Sequence, residues 1–462
     1  MDSTSTIPSL PNWFSPRDYQ LTAISKWEHH NYQGLLEMAT GTGKTLTALT
    51  AITYTFQHTK RLAVVILCPY QHLVDQWAKD AKSFGMKPIL CYGSKNNWYS
   101  SLGGMITKYN FKITSFMCII TTNNTFKGEA FQNQLKRITD HGTLVADEAH
   151  NLGTDQAIKS LPSQFQNRLA LSATPIRHHD EIGTERLLNY FNGSIYSFSL
   201  EEAIQAGYLT KYYYYPHLVA LTEEELEQYH ELTNKISKLI SIQESSSIEA
   251  TGNDKSMLEM LLIKRARLIN AAKEKDLLLK EQLQSQSDLS KTIIYCGDHK
   301  TDDERHVDYI SDFLNNELHI SARTFTSTEK KELRKQLLKD FTDDHIKVLV
   351  AIRCLDEGVD IPSAETAYIL ASTTNPKEFI QRRGRILRKS PGKKYAYIHD
   401  YIVIPRPLEE IDLLTDQEFN IERRLLMNEL KRINEFASIS ENQFQALQVI
   451  NPVKEAFNLI DL

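Results

Sequence analysis

The sequence predicts an α/β protein: two parallel-sheet domains in tandem with a helical insertion between them. Three observations predict it. Short, uninterrupted apolar runs such as RLAVVILCP, FMCIITT and GTLVAD recur between Ser15 and Phe198, and a strand that is apolar on both faces belongs to a sheet covered by helices on both sides. The same texture returns in KTIIYCG, IKVLVA, TAYILAS and YAYIHDY between Asp288 and Ile404. In the stretch between them, apolar residues fall at helical spacing instead.

Composition sets bounds on this reading. A chain of 462 residues, 41% hydrophobic and 24% charged, can bury more than one core. The expected division is 1–200 for the first sheet domain, 201–287 for a linker strand and the helical insertion, 288–405 for the second sheet domain, and 406–462 for a helical tail. A net charge of −5 is unlike a generally basic coat for nucleic acid, so any polynucleotide contact has to be local. The five cysteines lack a CxxC pair and sit mostly in apolar runs, which predicts reduced core thiols and no zinc or disulfide framework. No run approaches the roughly 18 apolar residues of a spanning helix. The polar start MDSTSTIPSLPN lacks the parts of a signal peptide. A cytoplasmic protein without a membrane partner is the expectation.

Within the insertion, Thr222 and Glu225 have capping-box spacing, and Leu226, Tyr229, Leu232, Ile236 and Leu239 follow at helical intervals. SIQESSSIEATGNDKS reads as a polar linker. A second helix is expected from Met257 to about Leu283, with Leu261, Leu268, Ala272 and Leu279 on its apolar face. The tyrosines of LTKYYYYP are read as an ordinary strand or as the way out of the first domain. After Pro407 the sequence predicts a closing amphipathic helix with little chemistry.

The chemistry is concentrated in three segments. Met38-Ala39-Thr40-Gly41-Thr42-Gly43-Lys44-Thr45 follows a strand-like GLLEM and opens the helical LTALTAI. Gly41 and Gly43 keep side chains clear so that backbone amides converge on phosphate oxygens, Lys44 supplies positive charge, and the Thr45 hydroxyl is placed to reach Mg2+. Met38 stands where the general GxxxxGK[ST] pattern has its first glycine, so the loop is a variant. Asp147 and Glu148 end the run LVADEAH: the first is the expected Mg2+ carboxylate, the second the group that orients and deprotonates an attacking water. Near the other end, QRRGRILR places Gln381, Arg385 and Arg388 in an arginine cluster of the kind that stabilises a phosphoryl group in transfer.

The order of these segments, with five more between them, resembles that of superfamily 2 helicases and translocases, whose motor domains are RecA-like. PRDYQ, with Arg17 and Gln20, resembles the adenine-reading motif. CPYQHLVDQW, IITTNNTF and LSATP are similar to motifs Ia, Ib and III, TIIYCGDHK to motif IV, AIRCLDEGVDIP to motif V, and QRRGRILR to motif VI. MATGTGKT, DEAH and LDEGVDIP together resemble the DEAH-lettered branch that holds restriction motor subunits and repair translocases.

The resemblance implies an ATP hydrolase with Mg2+ as cofactor and DNA as partner, single- or double-stranded. It assigns ATP binding to Arg17, Gln20, Ala39, Thr40, Gly41, Thr42, Gly43, Lys44, Thr45, Gly358 and Asp360, with Thr45 and Asp147 on the metal. His150, Ser172 and Thr174 become coupling residues, Gln381 joins the motor halves, and Arg385 and Arg388 become the fingers on the γ-phosphate. Tyr70, Gln71, Thr122, Asn123, Gly297, Ser327 and Arg353 are nucleic-acid candidates by motif position, each equally readable as a loop surface residue. With no room left for a nuclease, a partner protein is expected to supply one, or another effector. A nucleotide-gated clamp and an RNA-remodelling ATPase are the alternatives.

Overall fold

The computed structural model describes residues 7–140, 142–177, 180–245, 252–301, 304–326, 329–352, 361–371 and 376–461. They form two compact units that divide between Tyr208 and Leu209.

The first unit is built on seven strands: β1 (Gln33–Met38), β2 (Leu62–Cys68), β3 (Ile89–Cys91), β4 (Phe116–Thr122), β5 (Gly142–Ala146), β6 (Asn167–Ser172) and β7 (Ser194–Phe198). All pair in parallel in the order β3-β4-β2-β5-β6-β1-β7. Every residue of β2, β4 and β5 is buried, as their unbroken apolar sequences require of central parallel strands. Register places Leu67 beside Ala146 and Glu37 beside Ser172, so the loops leaving β1, β2, β5 and β6 open on one edge. In an open α/β sheet that carboxyl edge is where ligands bind.

The second unit holds β8 (Lys211–Ala220), β9 (Thr292–Tyr295), the small hairpin β10 (Lys300–Thr301) and β11 (Glu304–Arg305), β12 (Ala322–Phe325), β13 (Val348–Ala351), β14 (Thr366–Ile369) and β15 (Tyr395–Ile404). Its main sheet runs β12-β13-β9-β14-β15-β8, again parallel. The tyrosine strand β8 pairs with β15 along all ten of its residues and is the sheet's edge. At its start the outer backbone groups are occupied: the Asn442 amide accepts from Tyr214 N at 2.8 Å and donates to Tyr214 O at 2.9 Å, and Glu441 N donates to Tyr212 O at 2.9 Å. At Tyr212 and Tyr214 the edge is thus closed to another chain.

Three features of the insertion and tail differ from expectation. The segment read as a polar linker is helical to Ser245 and again from Gly252, because Ile, Gln and Glu propagate the helix begun at Glu223; residues 246–251 lie outside the described residues. The second helix is two, Gly252–Asn270 and Lys273–Ser285. The buried Glu225 explains the break: one carboxylate oxygen completes the Thr222 capping box while the other accepts from Lys273 N at 3.0 Å, starting a new helix. The tail is the pair of helices Asp416–Ala437 and Gln443–Ala456.

That tail carries buried charge. Arg432 donates to Asp400 Oδ1 at 2.9 Å, and Tyr214 OH donates to Asp400 Oδ2 at 2.9 Å, with Asp400 wholly excluded from solvent. Removing one partner of such a pair strands the other charge, which costs about 3–5 kcal/mol. Arg432→Met is therefore expected to lose that much in denaturant unfolding of the full chain, and a loss below about 1 kcal/mol would refute the pair as a structural element.

Acid sensitivity follows from the histidines. Burial, helped by each one's histidine neighbour, holds His399 down to about 3 and His299 to about 4, and burial holds His217 to about 4. The unfolded chain takes up these protons near pH 6.5 whereas the folded one refuses them until far lower. Stability of the second unit is therefore fully present above about pH 6.5 and falls as pH drops towards 4. Unfolding midpoints measured across that window should decline, less steeply in His217→Gln/His399→Gln; an unchanged slope in that variant would contradict the assignment.

Candidate active site

The loop Ala39–Gly43 joins β1 to the helix Lys44–Thr59. Gly41 and Gly43 sit at φ +89° and +81°, a left-handed conformation that any Cβ would strain. The Thr42 hydroxyl donates to Ala39 O at 2.7 Å, and Tyr19 OH donates to Thr42 O, which fixes the turn from inside and outside. The first amides of the following helix have no partner within it and carry the positive end of its dipole, a ready anion site. Lys44 Nζ lies 3.2 Å from Met38 O and 4.0 Å from Glu148 Oε1. Thr45 opens the same helix, half-buried, one residue further on.

Arg17 and Gln20 stand behind this loop. Gln20 is buried: its oxygen accepts from Arg17 N at 2.9 Å, and its nitrogen donates to Thr47 Oγ1 at 3.1 Å and reaches Gly43 O at 3.4 Å. Its amide is thus held inside the protein, supporting the loop from behind. The Arg17 guanidinium covers the Tyr208 ring at 4.7 Å, beside Tyr19 stacked on Phe198.

Asp147 follows β5 directly and is buried. Its Oδ2 accepts from the Trp77 indole N–H at 2.7 Å and its Oδ1 from Glu148 N at 3.0 Å. Burial, and then the charge of Glu148, push its carboxyl up to about 6. Glu148 occupies the left-handed region at φ +43°, uncommon outside glycine, asparagine and aspartate, and this twist turns its side chain towards Lys44 and His150. Glu148 Oε2 is a buried atom with no hydrogen-bond partner, as are Thr40 Oγ1 and Thr174 Oγ1. Buried polar atoms are normally satisfied, so unsatisfied oxygens clustered along one sheet edge mark where a ligand belongs. An acidic pair beside a phosphate loop, with the Thr45 hydroxyl at the head of its helix, fits a divalent cation bound together with a nucleotide. Thr45 and Asp147 are the residues that could hold it.

His150 links the acids to β6. Its Nδ1 is 3.2 Å from Ser172 Oγ, while Asn151 Nδ2 lies 3.2 Å from its Nε2. An amide donor on Nε2 leaves Nδ1 as the protonated nitrogen, so Nδ1–H donates to the Ser172 hydroxyl, which also accepts from Thr174 N at 3.1 Å. Arg177, which the sequence did not single out, donates to His150 O and to Asp180 Oδ2, the latter at 2.7 Å.

In the second unit, the helix Pro376–Ile386 carries Gln381 and Arg385, and Arg388 follows two residues past its end. Arg382 and Arg383 are buried and structural: Arg382 donates to Ala371 O at 2.8 Å, and Arg383 to Glu435 O and Oε1 at 2.9 and 2.7 Å over the Phe436 ring. The tail therefore holds the arginine helix directly. Gln381, Arg385 and Arg388 are half-buried. Lys393 is buried: its ammonium donates to the carbonyls of Ala364, Ile386 and Arg388 and closes the helix's C-terminal end. Burial lowers it to about 8.

The nucleic-acid candidates are scattered. Tyr70 is 39% exposed at the head of the helix Gln71–Ser83, parallel to the His72 ring. Thr122 and Asn123 are buried, and the Thr122 hydroxyl caps a short helix by accepting from Thr125 N at 3.3 Å. Gly297 packs inward: a Cβ there would meet His299 Nδ1 at 2.4 Å. Ser327, Arg353, Gly358 and Asp360 lie outside the described residues. Among the described residues no His/Cys/Asp/Glu cluster could hold a metal by itself, and no helix is long and apolar enough to cross a membrane. Four of the cysteines, Cys68, Cys91, Cys118 and Cys296, are free and buried.

The family "Type III restriction enzyme, res subunit" matches residues 14–177, and the family "Helicase conserved C-terminal domain" matches residues 274–390. The DNA 3'-5' translocase XPB2 of Sulfurisphaera tokodaii is 28% identical over 398 residues, covering 83% of this chain and 80% of that protein. The Type I restriction enzyme EcoAI endonuclease subunit of Escherichia coli is 29% identical over 215 residues, 43% of this chain and 24% of its own. Among solved structures, the ATP-dependent Type ISP restriction-modification enzyme LlaBIII bound to DNA shares the fold, with a TM-score of 0.61 at 16% identity over 93% of this chain and 31% of that one. The chain belongs to the superfamily 2 helicases and translocases, related to restriction and repair motor subunits. It spans most of the archaeal relative but under a third of either restriction enzyme.

Proposed function

We propose that this chain is an ATP-dependent DNA helicase or translocase that hydrolyses Mg-ATP and couples turnover to movement on DNA. The observation that carries the reading is the meeting of Lys44, Asp147 and Glu148 at the mouth of the phosphate loop, with Glu148 held 4.0 Å from the lysine and an oxygen left unbonded. In this reading Gly41, Gly43 and Lys44 bind the phosphates, and Thr45 and Asp147 hold Mg2+, which supplies charge neutralisation on the phosphate oxygens. Glu148 takes the proton of the attacking water, and His150, Ser172 and Thr174 carry the change of state to β6. The second unit contributes Gln381, Arg385 and Arg388 to the transferred phosphoryl group. DNA is the proposed track because the archaeal relative is named a DNA translocase. A partner protein that brings a nuclease or other effector is also proposed, since two of the matched proteins are restriction enzymes.

The test is ATP hydrolysis by the purified chain alone, with single-stranded DNA, with duplex DNA and with RNA. Strong stimulation by DNA is expected. A slow rate indifferent to every polynucleotide would replace the motor with a nucleotide-gated clamp, and stimulation by RNA alone would replace DNA with RNA.

A further inference from the structure

Asp147 is gripped from a helix that the sequence connects with nucleic acid and not with the nucleotide. Trp77 lies on the helix Gln71–Ser83, 70 residues upstream of Asp147, and its indole N–H meets Asp147 Oδ2 at 2.7 Å with the ring 1% exposed. An indole N–H can only donate, and when buried it needs an acceptor. The carboxylate's second oxygen is taken by Glu148 N at 3.0 Å. Two donors from two different elements therefore fix the plane of the carboxylate, and one of the two belongs to the helix.

We propose that Trp77 is a positioning residue for Asp147: through its indole N–H, the helix Gln71–Ser83 sets the orientation of the carboxylate that takes the divalent cation. The proposal rests on the reading of Asp147 as a cation ligand given above. Groups that hold a ligand from behind commonly matter to metal affinity by about 10- to 100-fold. The helix head carries Tyr70 and His72, parallel rings 5.6 Å apart, with Tyr70 exposed. From Gln71 to Trp77 is about 9 Å along the axis at about 1.5 Å per residue, a span too short for a helix to flex. A small shift of its exposed head would therefore arrive at Asp147, and a displacement of about 1 Å at a reacting centre costs about 10²-fold in rate.

Simple core filling is the competing role for a buried tryptophan, and Trp77→Phe separates the two because it keeps an aromatic ring and removes the donor. Mn2+ is the probe, its binding in the presence of ADP read from the loss of the free-ion electron paramagnetic resonance signal. Trp77→Phe is expected to weaken Mn2+ binding about tenfold, with ADP affinity in chelator unchanged. Wild-type Mn2+ affinity in that variant would overturn the proposal. If Trp77→Phe does not fold, the wild-type chain labelled with 15N-indole gives a second measurement. Of its four tryptophan signals, the one left after assigning Trp13, Trp27 and Trp98 by substitution should broaden most on Mn2+-ADP binding and shift in Asp147→Asn; a signal that does neither would overturn the proposal. Asp147→Asn also tests the underlying reading. If it keeps full Mn2+ affinity, the cation site is wrongly placed and the proposal falls with it; if it loses affinity while Trp77→Phe does not, the proposal alone falls.

Discussion

Glu148→Gln should bind ATP as the parent chain does and hydrolyse it about 10² to 10⁴ times more slowly, the range general-base catalysis supplies. Glutamine keeps the size and the hydrogen-bonding reach of the side chain but accepts no proton at neutral pH. The loss should appear in kcat with nucleotide affinity little changed, which is the signature of an interaction made in the transition state. The backbone supports the assignment. Glu148 sits at φ +43°, a conformation with an energetic cost that persists where it aims a side chain, and here it aims one carboxylate oxygen at Lys44, 4.0 Å away, and the other at His150, 3.7 Å away. Turnover within a factor of two of the parent, measured by phosphate release at saturating ATP, would remove Glu148 from that role.

Arg388→Ala should lose as much or more. An arginine placed on the transferred phosphoryl group contributes about 10³ to 10⁵ in rate, and alanine leaves nothing to replace it. The helix Pro376–Ile386 is anchored by Arg382 on Ala371 O, by Arg383 on Glu435, and by Lys393 at its far end, so the substitution removes one guanidinium from a framework that others hold in place. Folding should therefore survive. ATP binding, followed with a fluorescent analogue, should stay near the parent value while hydrolysis falls away. Arg383→Ala forms the contrast: its guanidinium is committed to Glu435 and Phe436, so its loss should lower the unfolding midpoint as well. Normal turnover in Arg388→Ala would mean that the second unit does not act on the nucleotide.

Much of the site was legible because its signals are local. The phosphate loop needs glycine at two positions of positive φ and a lysine at the helix start, and those requirements are met within eight residues, Met38 to Thr45. The acids are legible for the same reason, following directly on an apolar strand. What the sequence left hidden is pairing over distance. Nothing in CPYQHLVDQW marks Trp77 as the donor to a carboxylate 70 positions later, and nothing in RKSPGKK separates the buried Lys393 from its exposed neighbour Lys394. The motif letters of PRDYQ likewise did not show that the Gln20 amide engages Arg17, Gly43 and Thr47, since a buried amide finds partners on nearby backbone and hydroxyl groups that lie far off in sequence. The break at Ala272 escaped periodicity because Glu225, on another helix, caps the new start. The tail was read as having little chemistry, since amphipathic spacing reports a buried face and not that the partly exposed Glu435 would hold the arginine helix.

Triplex displacement tests the central claim most directly. A labelled third strand is annealed to duplex DNA some distance from the end, and its release is followed after ATP is added to the purified chain. Release that requires ATP and Mg2+, lags longer as the intervening duplex is lengthened, and is absent in Glu148→Gln is the predicted result. Hydrolysis stimulated by DNA without any displacement of the third strand, or displacement that proceeds equally well in Glu148→Gln, would contradict it.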